Sequence, residues 1–345
     1  MSDIMTCMPF GQLMEWVLQE KSGKDTVFGV HRPYTINADH NLTIFERNLE
    51  TPVGPAAGPH TQLAQNIIAS YYAGARFFEL KTVQKMDGAE LSACVNKPCI
   101  LADDEGYNCE WSTELTVPDA MSEYIKAWFI LHVMAKEFNL GAQDGFQFNI
   151  SVGYDLEGIK GDKVNTFIDG MMEAKDTAVF QECKKWLLDN ADRFHNFTRE
   201  DIEAIPSNVC NSATISTLHG CPPQEIESIA NYLLTEKHLN TFVKCNPTLL
   251  GYDFARKTMD EMGYDYMVFG DFHFRDDLQY EDAVPMLTRL MKLSEELGLE
   301  FGVKITNTFP VDVTRNELPS EEMYMSGKSL FPLSISLAAK LSREF

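Results

Sequence analysis

The strongest constraint on this sequence is an alternation. From residue 51 onward, short β-forming runs alternate with longer stretches of helical period. The runs end or centre on Thr51–Gly58, Phe77–Thr82, Phe146–Val152, Ala213–Thr217, Thr241–Asn246 and Phe301–Asn307, and Tyr264–Phe269 reads as a further strand. The helical stretches fall at 60–73, 119–138, 163–205, from Pro222 onward, 252–262, 281–297 and 329–342. Asp119 is the expected N-cap of the third strand's preceding helix, and Pro222-Pro223 suits a first turn, where a missing N–H costs nothing. Strand-then-helix repeats build parallel sheets. About seven such units without a Gly-x-Gly-x-x-Gly fingerprint predict an α/β fold of (β/α)8 TIM-barrel type rather than a doubly wound sheet.

Residues 1–50 read as an N-terminal helix (9–21, with Phe10, Leu13, Met14 and Val17 at helical spacing) and a lead-in segment with short strands. Residues 51–345 read as the barrel, with 85–117 as a long loop. No Pro/Gly/Ser linker, repeat or low-complexity stretch divides it.

Charge narrows the partners. Lys and Arg total 29 against 51 Asp and Glu, a net charge of −22, which argues against nucleic acid or an anionic membrane surface. No apolar run approaches the ~20 residues of a membrane span. The eight cysteines contain no CxxC pair, and the N-terminus lacks a signal-peptide pattern, so a reduced, cytoplasmic protein is expected. Cys94, Cys99 and Cys109 are too widely spaced, with no fourth close partner, to read as a zinc or iron–sulfur site. Asp103-Asp104-Glu105 reads as a solvated acidic loop, and no metal site is expected.

Barrel chemistry sits at strand C-termini and the loops that follow. Those ends carry Ala56-Ala57-Gly58, Lys81-Thr82, Ser151, His219-Gly220-Cys221, Lys244 and Thr306-Asn307-Thr308. A lysine aimed into a barrel mouth is costly unless an anion meets it, although each alone could snorkel to water. Cys221 precedes a helix N-terminus, where the dipole favours thiolate, but a buried apolar cysteine is the commoner fate. His60 and His219 lie beside these ends, too few for a metal-dependent hydrolase.

Taken in order, these motifs resemble the FMN-binding barrel of the dihydroorotate and dihydropyrimidine dehydrogenases. Within that group the chain looks closest to the large flavin and iron–sulfur proteins named selenate reductases. The matching segments are Pro52–His60, Glu79–Val83, Lys97-Pro98-Cys99-Ile100, Trp111–Leu115, His219–Pro222, Val243–Pro247, Thr306-Asn307-Thr308 and Ser326-Gly327. The resemblance implies an FMN-dependent oxidoreductase that passes electrons between a small substrate, heterocyclic or selenate-like, and other redox centres. It implies flavin binding by Ala56, Ala57, Gly58, Lys81, Thr82, Lys244, Thr306, Asn307, Thr308, Ser326 and Gly327, with Cys221 and Lys81 catalytic. FAD and iron–sulfur modules, in cis or as partner subunits, are implied as well. Leu218 and Ser112 stand where the family carries asparagines, which argues against a pyrimidine. In that family two further strands, with glycine-rich ends that bind the FMN phosphate, follow the helix matching 329–342, so the barrel is expected to be incomplete. The rival expectation is a non-catalytic scaffold or docking fragment of a redox complex, with a degenerate flavin site.

Overall fold

The computed structural model describes residues 5–34, 42–95, 100–109, 111–216 and 219–345. Its strands are β1 (Leu42–Ile44), β2 (Arg47–Leu49), β3 (Phe77–Glu79), β4 (Ile100–Leu101), β5 (Tyr107–Asn108), β6 (Gln147–Gly153), β7 (Cys210–Ser216), β8 (Asn240–Cys245), β9 (Phe301–Ile305), β10 (Phe309–Asp312) and β11 (Glu322–Met325).

A five-stranded parallel sheet of order β3-β6-β7-β8-β9 organises the molecule. The extended segment 52–57 runs beside β3, where the N–H groups of Arg76 and Glu79 donate to Val53 (2.8 Å) and Pro55 (3.2 Å). Gly54 permits that approach, since a Cβ there would lie 1.5 Å from the Phe77 carbonyl oxygen. The sheet is curled, because Lys304 on β9 forms an ion pair with Glu79 on β3, although these are the two end strands. Among the described residues β9 pairs on one side only, with β8. The molecule is thus a half-barrel with an α/β-barrel interior.

The pleat sorts side chains with period two. On β6, Phe148, Ile150 and Val152 face the helices, with Phe148 packing on Phe78 and Trp128. The alternate residues face inward, as when Asn149 donates to the Thr214 hydroxyl at 2.6 Å. The outer layer includes helix Val117–Glu137, buried on nearly every side. Thr116 caps it, accepting from the Asp119 N–H at 3.2 Å, so Asp119 is not the N-cap but the third residue of the first turn. Pro118 fits that turn because its nitrogen needs no partner there.

The β1–β2 hairpin closes the bottom of the half-barrel. Phe45 is buried between Phe77 (6.4 Å) and Phe242 (5.0 Å), and the Gln147 amide donates to the carbonyls of Ile44 and Arg47 at 2.9 Å each. At the opposite, C-terminal mouth lies an antiparallel sheet of order β10-β11-β5-β4 over its own apolar cluster. Two expectations change here. The 85–117 stretch is not one loop, since it holds helix Ala89–Cys94 and strands β4 and β5. Residues 264–269 form no strand, because Met267 and Phe269 are spent in the cap cluster, and β9 takes the place beside β8. Cys109 is buried in that cluster and Cys94 is exposed, while Lys97, Pro98, Cys99 and Leu218 lie outside the described residues.

Arg76, fully buried, ties the lower rim together. Its guanidinium pairs with Glu50 (2.9 Å), donates to the carbonyls of Tyr71 (3.0 Å) and Leu140 (2.8 Å), and stacks 4.0 Å over the Tyr71 ring. Arg76→Leu strands Glu50 and these carbonyls, and should cost about 3–5 kcal/mol in urea unfolding. A loss under about 1 kcal/mol, the scale of an exposed pair, would refute the assigned role.

Candidate functional site

A cavity of about 520 Å³ opens at the C-terminal ends of the parallel strands, within the range of small-molecule sites. Its floor is built from inward residues near the tops of the strands. Lys244 and Lys304 are direct partners across β8 and β9, so both point to the same side of the sheet. Lys81 reaches the cavity from the end of β3, where it is 5% exposed. Lys304 holds Glu79, which also accepts from the Ala57 N–H at 2.9 Å, and Lys244 donates to Ser216.

Burial alone would raise the Glu79 carboxyl. The charge and hydrogen bond of Lys304, with the Ala57 N–H, outweigh it and hold Glu79 below the ordinary carboxylate range. Lys244 moves the other way. Desolvation first, then repulsion from Lys304 and Lys81, pull it down to about 7 against the attraction of Glu79. Three lysines around one carboxylate leave the floor short of negative charge, a setting that suits an anionic or electron-rich ligand.

Most residues expected from the sequence meet here. Ala56, Ala57, Gly58, Lys81, Thr82, Lys244, Thr306, Asn307, Thr308 and Ser326 all line the cavity, as do His60 and His219. Thr82 shares a hydrogen bond with Ser151 (2.7 Å), and Thr306 with Ser334 (2.8 Å). Asn307 donates to the Asn246 side-chain oxygen at 3.0 Å and accepts from the Thr308 N–H at 2.9 Å. Trp111 and Ser112 form part of the wall, anchored where the Thr113 N–H donates to the Thr82 carbonyl at 2.9 Å.

Two expected residues are not at the wall. Cys221 lies beyond the 219–220 turn and packs against the main core instead. Gly327, at φ +66°, begins the helix Gly327–Leu341, and a Cβ there would press to 3.0 Å on the Asp104 carbonyl oxygen. Its place is set by that close approach to the 103–106 loop.

Sequence reasoning missed Lys304 and Asp277. Lys304 falls in the middle of the expected strand Phe301–Asn307, but β9 ends at Ile305, so Lys304 sits next to the strand end just as Lys244 does. Its signal is the shared pattern Val-Lys-Cys and Val-Lys-Ile at 243–245 and 303–305. The Asp277 carboxylate is fully buried, and accepts from His219 Nδ1, the Gly220 N–H and the Thr248 hydroxyl at 2.7 Å each and from the Asn246 amide at 3.0 Å. Gln84 also went unnoticed: it lines the cavity with its side-chain oxygen buried and without a hydrogen-bond partner among the described residues.

Residues 28–345 match the family described as oxidoreductase YgfK, N-terminal TIM-barrel domain. The chain belongs to that family. It is 46% identical over 359 residues to the YgfK proteins of Escherichia coli K12 and Escherichia coli O157:H7, both named as oxidoreductases. All of this chain is covered in both cases, but it spans 34% of the length of those relatives. A solved DHODH from Eimeria tenella, in complex with ferulenol, covers 87% of this chain and 81% of its own, at 12% identity and a TM-score of 0.40. Family membership makes the barrel that of an oxidoreductase family. Among the described residues, no group of three or more His, Cys, Asp or Glu is placed to hold a metal ion, and no helix is long and apolar enough to cross a membrane.

The Glu79 interaction can be tested by pH. A carboxylate depressed below 4.5 adds stability that is present above that pH and is lost as pH falls through its lower folded value. Glu79→Gln, which leaves the half-buried Lys304 without its counter-ion, should lose about 3–5 kcal/mol at neutral pH, and the gap from the parent should close in acid. A gap that stays constant in urea titrations across that acid range would exclude the role.

Proposed function

We propose that this barrel holds FMN and serves as the flavin end of an oxidoreductase that passes electrons to further redox centres. The observation that carries this reading is the meeting of Lys81, Lys244 and Lys304 with the small backbone at 56–58 and the Asn307 amide in one cavity. When bound, FMN supplies two-electron, hydride-accepting chemistry, which a cation beside its N1 and C2 carbonyl favours. The donors present suit that group. Lys81 and Lys244 would face its electron-rich edge, Thr82 and Asn307 would bond its polar rim, and the unpartnered Gln84 oxygen suits a ring N–H.

The aromatic wall of Trp111, His219 and Tyr324 favours a planar heterocyclic substrate over a tetrahedral oxyanion such as selenate. FAD and iron–sulfur modules, carried on the same polypeptide or by partner subunits, would take the electrons onward. The scaffold reading gains nothing from this geometry, since a degenerate site has no need to collect three lysines.

The test is titration of the purified chain with FMN, followed by flavin absorbance and fluorescence. Saturable binding is expected. Lys244→Met should weaken it about 10- to 100-fold, the worth of a lost charged hydrogen bond. Lys244 is cationic below about 7 and neutral above it, so affinity should decline as pH rises through that value, and the variant should lose this decline. A folded chain that stays colourless and shows no FMN affinity sinks the proposal.

A further inference from the structure

The cavity wall contains an acid–base pair that the flavin-binding residues leave unused. His219 lines the cavity with its ring nearly parallel to that of Tyr324, at 8° and 6.1 Å between centroids. Its Nδ1 meets Asp277 Oδ2 at 2.7 Å. Its Nε2 is buried and has no hydrogen-bond partner among the described residues. The other groups that face it are His273, ring to ring at 5.5 Å and bonded to Glu322, and the Asn246 amide at 3.4 Å.

Asp277 is itself fixed from three further directions, by Gly220, Thr248 and Asn246. Burial pushes its carboxyl upward, but the bond and charge of His219, with the other donors, hold it below the ordinary value. A fixed anion on Nδ1 selects the Nδ1–H tautomer and leaves the Nε2 lone pair as base, the arrangement that lets a histidine exchange a proton with a substrate. Cys221 has no such placement, being away from the cavity lining.

Building on the flavin reading, we infer that His219 is the proton-transfer residue of this cavity and Asp277 its positioning residue. In oxidation of a substrate bearing H–C–X–H, with X nitrogen or oxygen, the C–H bond would break with its electron pair, and a bound flavin would supply the hydride acceptor. The X–H bond breaks and its proton passes to Nε2, the X–H electron pair becomes the second bond of C=X, and the imidazolium is balanced by Asp277. Reduction runs the same transfers backwards. Asn246 also joins Asp277 to Asn307, so the proton-bearing wall and the flavin-edge amide belong to one hydrogen-bond network.

Two measurements decide this. In long-range ¹H–¹⁵N spectra of the histidine-labelled chain, His219, assigned through His219→Gln, should show the Nδ1–H tautomer. Asp277→Asn should scramble it, Asp277→Glu should restore it, and Cys221→Ser should leave it alone. An Nε2–H tautomer, or indifference to Asp277→Asn in a folded variant, overturns the inference. In the second, FMN-loaded chain reduced with dithionite is reoxidised by 3,4-dihydroisoquinoline, whose C=N takes up a hydride at carbon and a proton at nitrogen. His219→Gln should slow this about 100-fold or more and abolish its pH dependence. An unchanged rate and profile in His219→Gln, or their loss in Cys221→Ser alone, overturns the inference. A chain that binds no FMN overturns the flavin reading and leaves the pair to be judged by its tautomer.

Discussion

A single charge pair across the barrel interior, Glu79 with Lys304, conditions everything around it. It links the two end strands of an otherwise open sheet, and so fixes how tightly that sheet curls. A buried ion pair is a weak source of net stability, because desolvation offsets most of its attraction. Its worth here is positional. With Lys304 held, Lys244 beside it meets a like charge, loses water and titrates near neutrality. With Glu79 held, the Ala57 amide is drawn in and the turn at 56–58 is set against the cavity. Packing, electrostatics and the shape of the site therefore trace to one contact.

Barrels of this kind usually fill their interiors with branched apolar side chains in layers. Among the described residues this one instead has aromatic side chains at the bottom, where Phe45 meets Phe77 and Phe242. Above them the inward positions are Glu79, Asn149, Thr214, Ser216, Lys244 and Lys304, satisfied largely by one another. A polar interior is tolerable where hydrogen bonds close on themselves, and it leaves an upper layer open to a ligand.

Much of this was legible in the sequence for a local reason. The short β-forming runs at 77–82, 146–152, 213–217, 241–246 and 301–307 each announce a strand between helical stretches, and their ends supplied many of the cavity-lining residues. The polar alternation of Gln147, Asn149 and Ser151 also signals an unusual interior. What stayed hidden depends on long-range contact. Asp277 lies 58 residues beyond His219, and no local pattern joins the two. The cap sheet itself joins β4 and β5 to β10 and β11, pieces of two to four residues that no periodicity can reveal. Cys221 packs against the main core, one residue past Gly220, which stands at φ +79° with its N–H on Asp277.

The bottom of the barrel has a kinetic side. Phe45 is seated by Phe242, from a distant part of the chain, and the hairpin that carries it is braced by Gln147 in between. Contacts of such wide sequence separation form late and slowly, because loop-closure entropy must be met before they contribute. During synthesis the first fifty residues therefore emerge well before the strands they cover, and the barrel base stays unsealed until β8 has left the ribosome.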